Sequence, residues 1–204
     1  IRELIQVSLS VVPHQYVFKC AVLFAFYGFF RMSNITPRSN QIFDPSKHTC
    51  RGDVFRASPG LIVLLKWSKT NQFGQDKELV PLPSTQDPLL CPVLAFNELE
   101  AHIPTLFSNQ PLFSLPTPPG EPILPVHPQW LDKMLRRSLT AMHLDPSLYS
   151  FHSFRRSGAT TCYQAGVEFS QIQRHGCWKS SAFWTYITNV TTGHTPVTSA
   201  LASI

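Results

Sequence analysis

His152 and Arg155 stand three residues apart in Phe151-His152-Ser153-Phe154-Arg155. On a helix that spacing projects both side chains from one face, toward a shared anion. Tyr186 follows Trp178 by eight residues, close to two turns of ~3.6 residues each, so these two can also face one cleft. Arg31, in Gly28-Phe29-Phe30-Arg31-Met32-Ser33, and Lys69, in Ser68-Lys69-Thr70, lie far upstream. Together these residue types suit phosphodiester cleavage by a tyrosine. Phosphoryl transfer gathers negative charge on the nonbridging oxygens, and preorganised cations stabilise that charge more than the ground state. Arg31 and Arg155 fit because a guanidinium stays charged and grips two oxygens at once. A phenol has an ordinary pKa of ~10, so Tyr186 needs adjacent cations or a base. His152 is placed to move that proton or to hold the phosphate. Trp178 offers a donor-only indole N–H and a broad apolar face.

Each of these residues also has a plainer reading. Arg31 reads as a helix-end cation favoured by the dipole, and Trp178 as core packing that positions the segment carrying Tyr186. Tyr149 and Tyr163 are alternative nucleophiles, and Cys177 beside His175 is an alternative thiol. Paired carboxylates, a Walker loop and metal-ligand spacing are all missing from the sequence, and His48, His102, His127, His143 and His194 are scattered. Neither metal nor any other cofactor is expected.

The order Arg31, Lys69, His152, Arg155, Trp178, Tyr186 resembles the catalytic domain of the tyrosine recombinases, the phage-integrase superfamily. The resemblance runs from about residue 1 to residue 189. Four phrases are similar to those of DIRS and Ngaro retrotransposon recombinases: Gly28-Phe29-Phe30-Arg31-Met32-Ser33-Asn34, Phe43-Asp44-Pro45-Ser46-Lys47-His48, Ser68-Lys69-Thr70 and Arg174-His175-Gly176-Cys177-Trp178-Lys179-Ser180. There are two departures. Asn34 stands where many members carry Glu, and Trp178 replaces the commoner His, one residue closer to the tyrosine than usual. The resemblance implies a mainly helical domain with a small antiparallel β-sheet. It implies double-stranded DNA as partner, cleavage through a 3′-phosphotyrosyl link, self-association in a synaptic complex, and integration of a mobile element in a nucleus. It makes Lys69 the general acid on the hairpin, with Lys66 as rival. A type IB topoisomerase and a decayed or domesticated DNA-binding domain are the alternatives.

Composition agrees with a nucleic-acid partner. Seventeen basic against twelve acidic residues give +5, and residues 129–186 hold seven Lys/Arg against three Asp/Glu. A basic face of this kind attracts a polyanion. Hydrophobic content of 43% in 204 residues is enough for one buried core. Five cysteines, odd in number and without C-x-x-C, point to a reducing compartment. Ile1 opens directly into an apolar run without an initiator Met. A longer parent protein is therefore expected, and the resemblance implies an N-terminal DNA-clamping domain outside this chain.

The elements that must position these residues follow from periodicity and breakers. Helices are predicted over Arg2–Val11, Tyr16–Arg31, Cys91–Ala101, Gln129–Met142, Phe151–Ala165 and Ser170–Arg174, with a last one carrying Tyr186 after Ser180 or Ser181. The second is apolar nearly all round, the mark of a buried helix, and is expected to deliver Arg31 at its C-terminal end. Val54–Arg56, Leu61–Leu65 and Glu78–Leu82 are predicted strands, with Pro59-Gly60 as a turn and Lys69 on a polar hairpin tip. Residues 38–52 read as a loop, the proline-rich stretch 104–128 as a surface connector, and 190–204 as a polar tail.

Overall fold

The computed structural model describes residues 1–38, 41–66 and 77–178. Lys69, Tyr186 and the predicted final helix lie outside the described residues.

Helix α2 (Gln15–Tyr27) is the axis of the domain, and every residue from Tyr16 to Ala25 is buried. A helix apolar on all sides needs neighbours on all sides. Helix α1 (Arg2–Val11), helix α4 (Pro92–His102) and helix α6 (His152–Gln164) all pack against it. Phe24 meets Phe96 and Phe113 at 5.9 Å between ring centroids. The buried Lys19 is tolerated because its ammonium meets the Glu98 carboxylate at 2.9 Å. Helix α5 (Pro128–Ala141) takes the other side of α1, burying Leu131, Met134, Leu135 and Leu139. Helix α6 approaches the end of α2 so closely that a Cβ on Gly158 would stand 2.3 Å from the Phe26 carbonyl oxygen. Gly166, with φ +79°, supplies the left-handed turn after α6, as its position in the sequence predicts. Helix α7 (Phe169–His175) follows.

The sheet is antiparallel in the order β1 (Val54–Ala57), β2 (Gly60–Leu65), β3 (Glu78–Pro83). Gly60 pairs with Ala57, so the β1–β2 turn is Ser58-Pro59, one residue earlier than predicted. Leu61, Val63, Leu65, Val80 and Leu82 face the core, while Phe55 and Leu79 face out. At the far end Leu65 pairs with Glu78.

Two expectations need correction. Helix α2 stops at Tyr27, where the Gly28 N–H bonds to the Phe24 carbonyl. Phe29 then takes a left-handed φ of 48°, and Arg31 sits in extended backbone as the N-cap of a separate short helix, α3 (Met32–Ile35). Arg31 therefore precedes a helix, and the dipole explanation for its charge falls. The proline-rich stretch is also no mere surface connector. Gln110, Leu112, Phe113, Ser114 and Val126 are buried, and the Arg51 guanidinium donates to the Leu112 and Ile103 carbonyls at 2.6 and 3.1 Å.

Candidate active site

The N-terminal ends of α3, α5 and α6 open on one cavity of about 570 Å³. Arg31, Met32 and Ser33 come from the first, Pro128, Gln129 and Asp132 from the second, and Ser150, Phe151 and His152 from the third. Helix N-termini present unpaired N–H groups and the positive end of the dipole, so this arrangement favours an anion. Arg38 completes the lining and, with Ser33, also lines an adjoining cavity of about 720 Å³ that holds Lys47 and His48.

Arg31 is half-buried, and no described hydrogen bond or ion pair holds its guanidinium. Its backbone N–H donates to Asn34 Oδ1 at 2.8 Å, and the Thr49 hydroxyl donates to the Asn34 carbonyl at 2.6 Å. Asn34, the departure from the resemblance, thus serves to fix the turn that aims Arg31. His152 is the first residue of α6. Burial, then the Arg155, Arg156 and Arg31 cations, hold its imidazole below the ordinary value. Near pH 7 it is neutral and able to accept a proton.

Arg155, one turn along α6, is only 2% exposed. Its guanidinium donates to the Phe29 carbonyl and, at 2.8 Å, to the Gly176 carbonyl. It therefore ties the α2–α3 turn to the end of α7. His175 makes a parallel tie, its Nε2–H donating to the Tyr27 carbonyl at 2.7 Å, and burial holds its imidazole below the ordinary value too. Trp178 lies with its ring 4.0 Å from the Arg155 guanidinium carbon and 6.0 Å from the Phe29 ring centroid. Trp178 is 7% exposed within a small cluster with Ala159 and Ile172. The packing reading of Trp178 is thus realised, and it acts on Arg155 directly.

The structure brings Arg31, His152, Arg155 and Trp178 together from both ends of the chain. It also bears on the alternatives. Lys66, the rival general acid, has its ammonium 2.7 Å from Asp53 and donates to the Pro45 carbonyl at 2.9 Å. It clamps the 44–50 loop to the sheet. Tyr163 stacks on Phe169 at 5.1 Å, Tyr149 is exposed and lines a separate cavity with Leu4 and Leu135, and neither lines the cavity at Arg31 and His152. Burial, then the Glu78 carboxylate, push the Cys177 thiol up to about 12, so it is protonated at neutral pH and a poor nucleophile.

Sequence reasoning missed Glu78. It joins Arg31, Asn34, Arg155 and Cys177 around a small pocket behind the open cavity. The signal was present in the alternation Glu78, Val80, Leu82, which sets a carboxylate on the inward face of a strand.

No protein-family model matches the sequence, and no curated protein does. Solved structures do. The Tn1549 transposon integrase in complex with circular-intermediate DNA superposes with a TM-score of 0.53 at 13% identity. Its tyrosine-to-phenylalanine variant in complex with transposon right-end DNA gives 0.55 at 12%. Each match covers 98% of this chain and 61% of the integrase chain, so this chain spans about three fifths of that length. The chain shares the fold of this integrase, mainly helical with one small antiparallel sheet.

Proposed function

We propose that this chain is the catalytic part of a DNA recombinase that cuts and rejoins strands through Tyr186. The observation that carries the reading is the meeting of Arg31 and His152 at a cavity rimmed by three helix N-termini, with Arg155 lining the small pocket that shares Arg31. That site has the size and charge of a place for a phosphate and its flanking sugars. The DNA-bound integrases of the same fold support the same reading.

In this mechanism the Tyr186 oxygen attacks the scissile phosphorus and the bond to the 5′ oxygen breaks. The phenol proton passes to His152, neutral before DNA binds. Lys69 protonates the departing 5′ oxygen. Arg31 and Arg155 stabilise the charge on the nonbridging oxygens, and Trp178 holds Arg155 in place. A second 5′ hydroxyl then attacks the phosphotyrosine and displaces Tyr186. Bond energy is conserved throughout, so no nucleotide is spent. The four sequence phrases support a recombinase of the DIRS/Ngaro type, acting in a nucleus as a synaptic assembly to integrate a mobile element.

The test is strand exchange between two marked duplexes by the full polypeptide in chelator. Recombinant joints are expected. Relaxed plasmid without joints would replace this reading with a topoisomerase, and salt-sensitive binding without any cleavage would replace it with a binding domain.

A further inference from the structure

Residues from Gln41 to His48 wall a cavity of about 720 Å³ beside the one at Arg31 and His152, and Ser33 and Arg38 line both. Arg38 and Lys47 are exposed cations on this wall. His48, half-buried, accepts the Asp44 backbone N–H at Nδ1 across 2.8 Å, so its ring carries the proton on Nε2. Burial holds that imidazole below the ordinary value. Near pH 7 it is therefore a neutral ring with one N–H to donate. The carboxylate in the lining, Asp44, is turned back on its own loop. Its Oδ1 accepts from the Ser46 N–H at 2.9 Å and the Ser46 hydroxyl at 2.6 Å, and its Oδ2 meets the Lys47 ammonium at 3.2 Å. An ammonium has three donors, so Lys47 keeps others for a ligand. The wall thus offers two cations against one carboxylate that is already satisfied, a balance that suits a single anionic group.

The loop is braced to the turn that aims Arg31. The Lys47 and His48 N–H groups donate to the Asp44 carbonyl at 3.0 and 2.8 Å. Lys66 Nζ donates to the Pro45 carbonyl at 2.9 Å, and the Thr49 hydroxyl to the Asn34 carbonyl at 2.6 Å. Asn34 is also the residue whose side chain accepts the Arg31 backbone N–H. One hydrogen-bonded unit therefore carries Arg31 at the first cavity and Lys47 and His48 at the second. Groups held in this way need little ordering when a ligand arrives. A continuous strand advances only ~3.4 Å along the duplex axis per nucleotide, so a phosphate in the first cavity brings its neighbours alongside. Ile42 and Phe43 add apolar surface to the wall, which suits the carbon face of a deoxyribose.

We propose that this second cavity is a subsite for a phosphate flanking the scissile one, held by Arg38 and Lys47 with the His48 N–H as a neutral donor. This rests on the cleavage function proposed above. A contact to the backbone carries no sequence information, so the subsite sets the register of the strand across Arg31 and His152. Its loss weakens binding equally on every sequence and removes one phosphate's part of the salt dependence.

The experiment uses the full polypeptide and a nicked duplex whose cleavage point wild type defines. A neutral methylphosphonate then replaces the phosphates flanking that point, one at a time. At one of these positions the replacement should weaken wild-type binding by about tenfold, the value of one charge-assisted contact. In Arg38→Ala and Lys47→Ala the same replacement should cost less than about twofold, because the partner is already gone. Each variant should bind the unmodified duplex about tenfold less well, and its slope of log affinity against log salt should be shallower by about one. Both side chains are exposed, so the melting temperature should stay at the wild-type value. Losses that multiply independently at every position would overturn the subsite, as would variants that bind like wild type. A loss that follows the identity of a base pair instead of a phosphate would overturn it in favour of base readout. Wild type that never binds or never cleaves would overturn the underlying function instead, and this subsite with it.

Discussion

Arg31 and Arg155 are proposed to share one chemical task, yet the structure makes them unequal in the fold. Arg155→Ala deletes two charge-assisted hydrogen bonds, to the Phe29 and Gly176 carbonyls, and the contact with the Trp178 ring. Each such bond is worth about 1.5–3 kcal/mol, and the cation–π contact about 0.5–2 kcal/mol. Some of this returns as water enters, so the expected loss is about 3–5 kcal/mol, the range seen on breaking a buried charged interaction. For a domain of this size that is a fall of roughly 6–20 °C in Tm. Arg155→Lys should recover little, because an ammonium cannot span both carbonyls. Arg31→Ala removes a guanidinium without a described partner and should stay within about 0.5 kcal/mol of wild type. Both alanine variants should lose on the order of 10²–10³ in cleavage rate. Thermal and urea denaturation, read beside trapping on a nicked duplex, separate the two. An Arg155→Ala protein as stable as wild type would refute the structural tie. So would an Arg31→Ala protein that is equally destabilised.

Lys66→Met should cost about 1–3 kcal/mol by stranding the Asp53 carboxylate, with cleavage intact below its lowered Tm. Lys69→Ala should leave Tm unchanged and abolish cleavage, with activity restored on a substrate whose 5′ leaving group is a thiolate that needs no proton. Trp178→Ala should destabilise by about 3–5 kcal/mol and Trp178→Phe by much less, measured by denaturation. Stability should fall as pH drops through ~6.5, the ordinary histidine value. His152 and His175 are both held below it, so the unfolded chain takes up protons that the folded one refuses. His175→Gln, which keeps a donor for the Tyr27 carbonyl, should flatten that slope in a pH series of melts.

Periodicity revealed most of the elements, because the helices are amphipathic or wholly buried and the strands alternate. His152 and Arg155 were legible for the same reason, their spacing being a property of one local helix. Arg31 was harder to place. The apolar run continues through Phe29 and Phe30, and hydropathy does not distinguish a helix from a buried reversal. Gly28 was the only breaker in the run. Proline density between residues 104 and 128 excluded helix and strand but was silent on burial, which Leu112, Phe113 and Val126 decide. The role of Trp178 depends on a contact with Arg155 across 23 residues, and the place of Glu78 on pocket neighbours from three other segments. Such contacts are set by tertiary packing, beyond any local pattern.

The covalent intermediate is the most direct test of the proposed chemistry. The full polypeptide is incubated in chelator with a nicked duplex that loses the cleaved fragment, then denatured, digested and mapped by mass spectrometry. A 3′-phosphoryl nucleotide on the peptide containing Tyr186, absent from a Tyr186→Phe protein that still folds and binds DNA, is the predicted result. An adduct that persists in Tyr186→Phe, or that maps to any other residue, would contradict it.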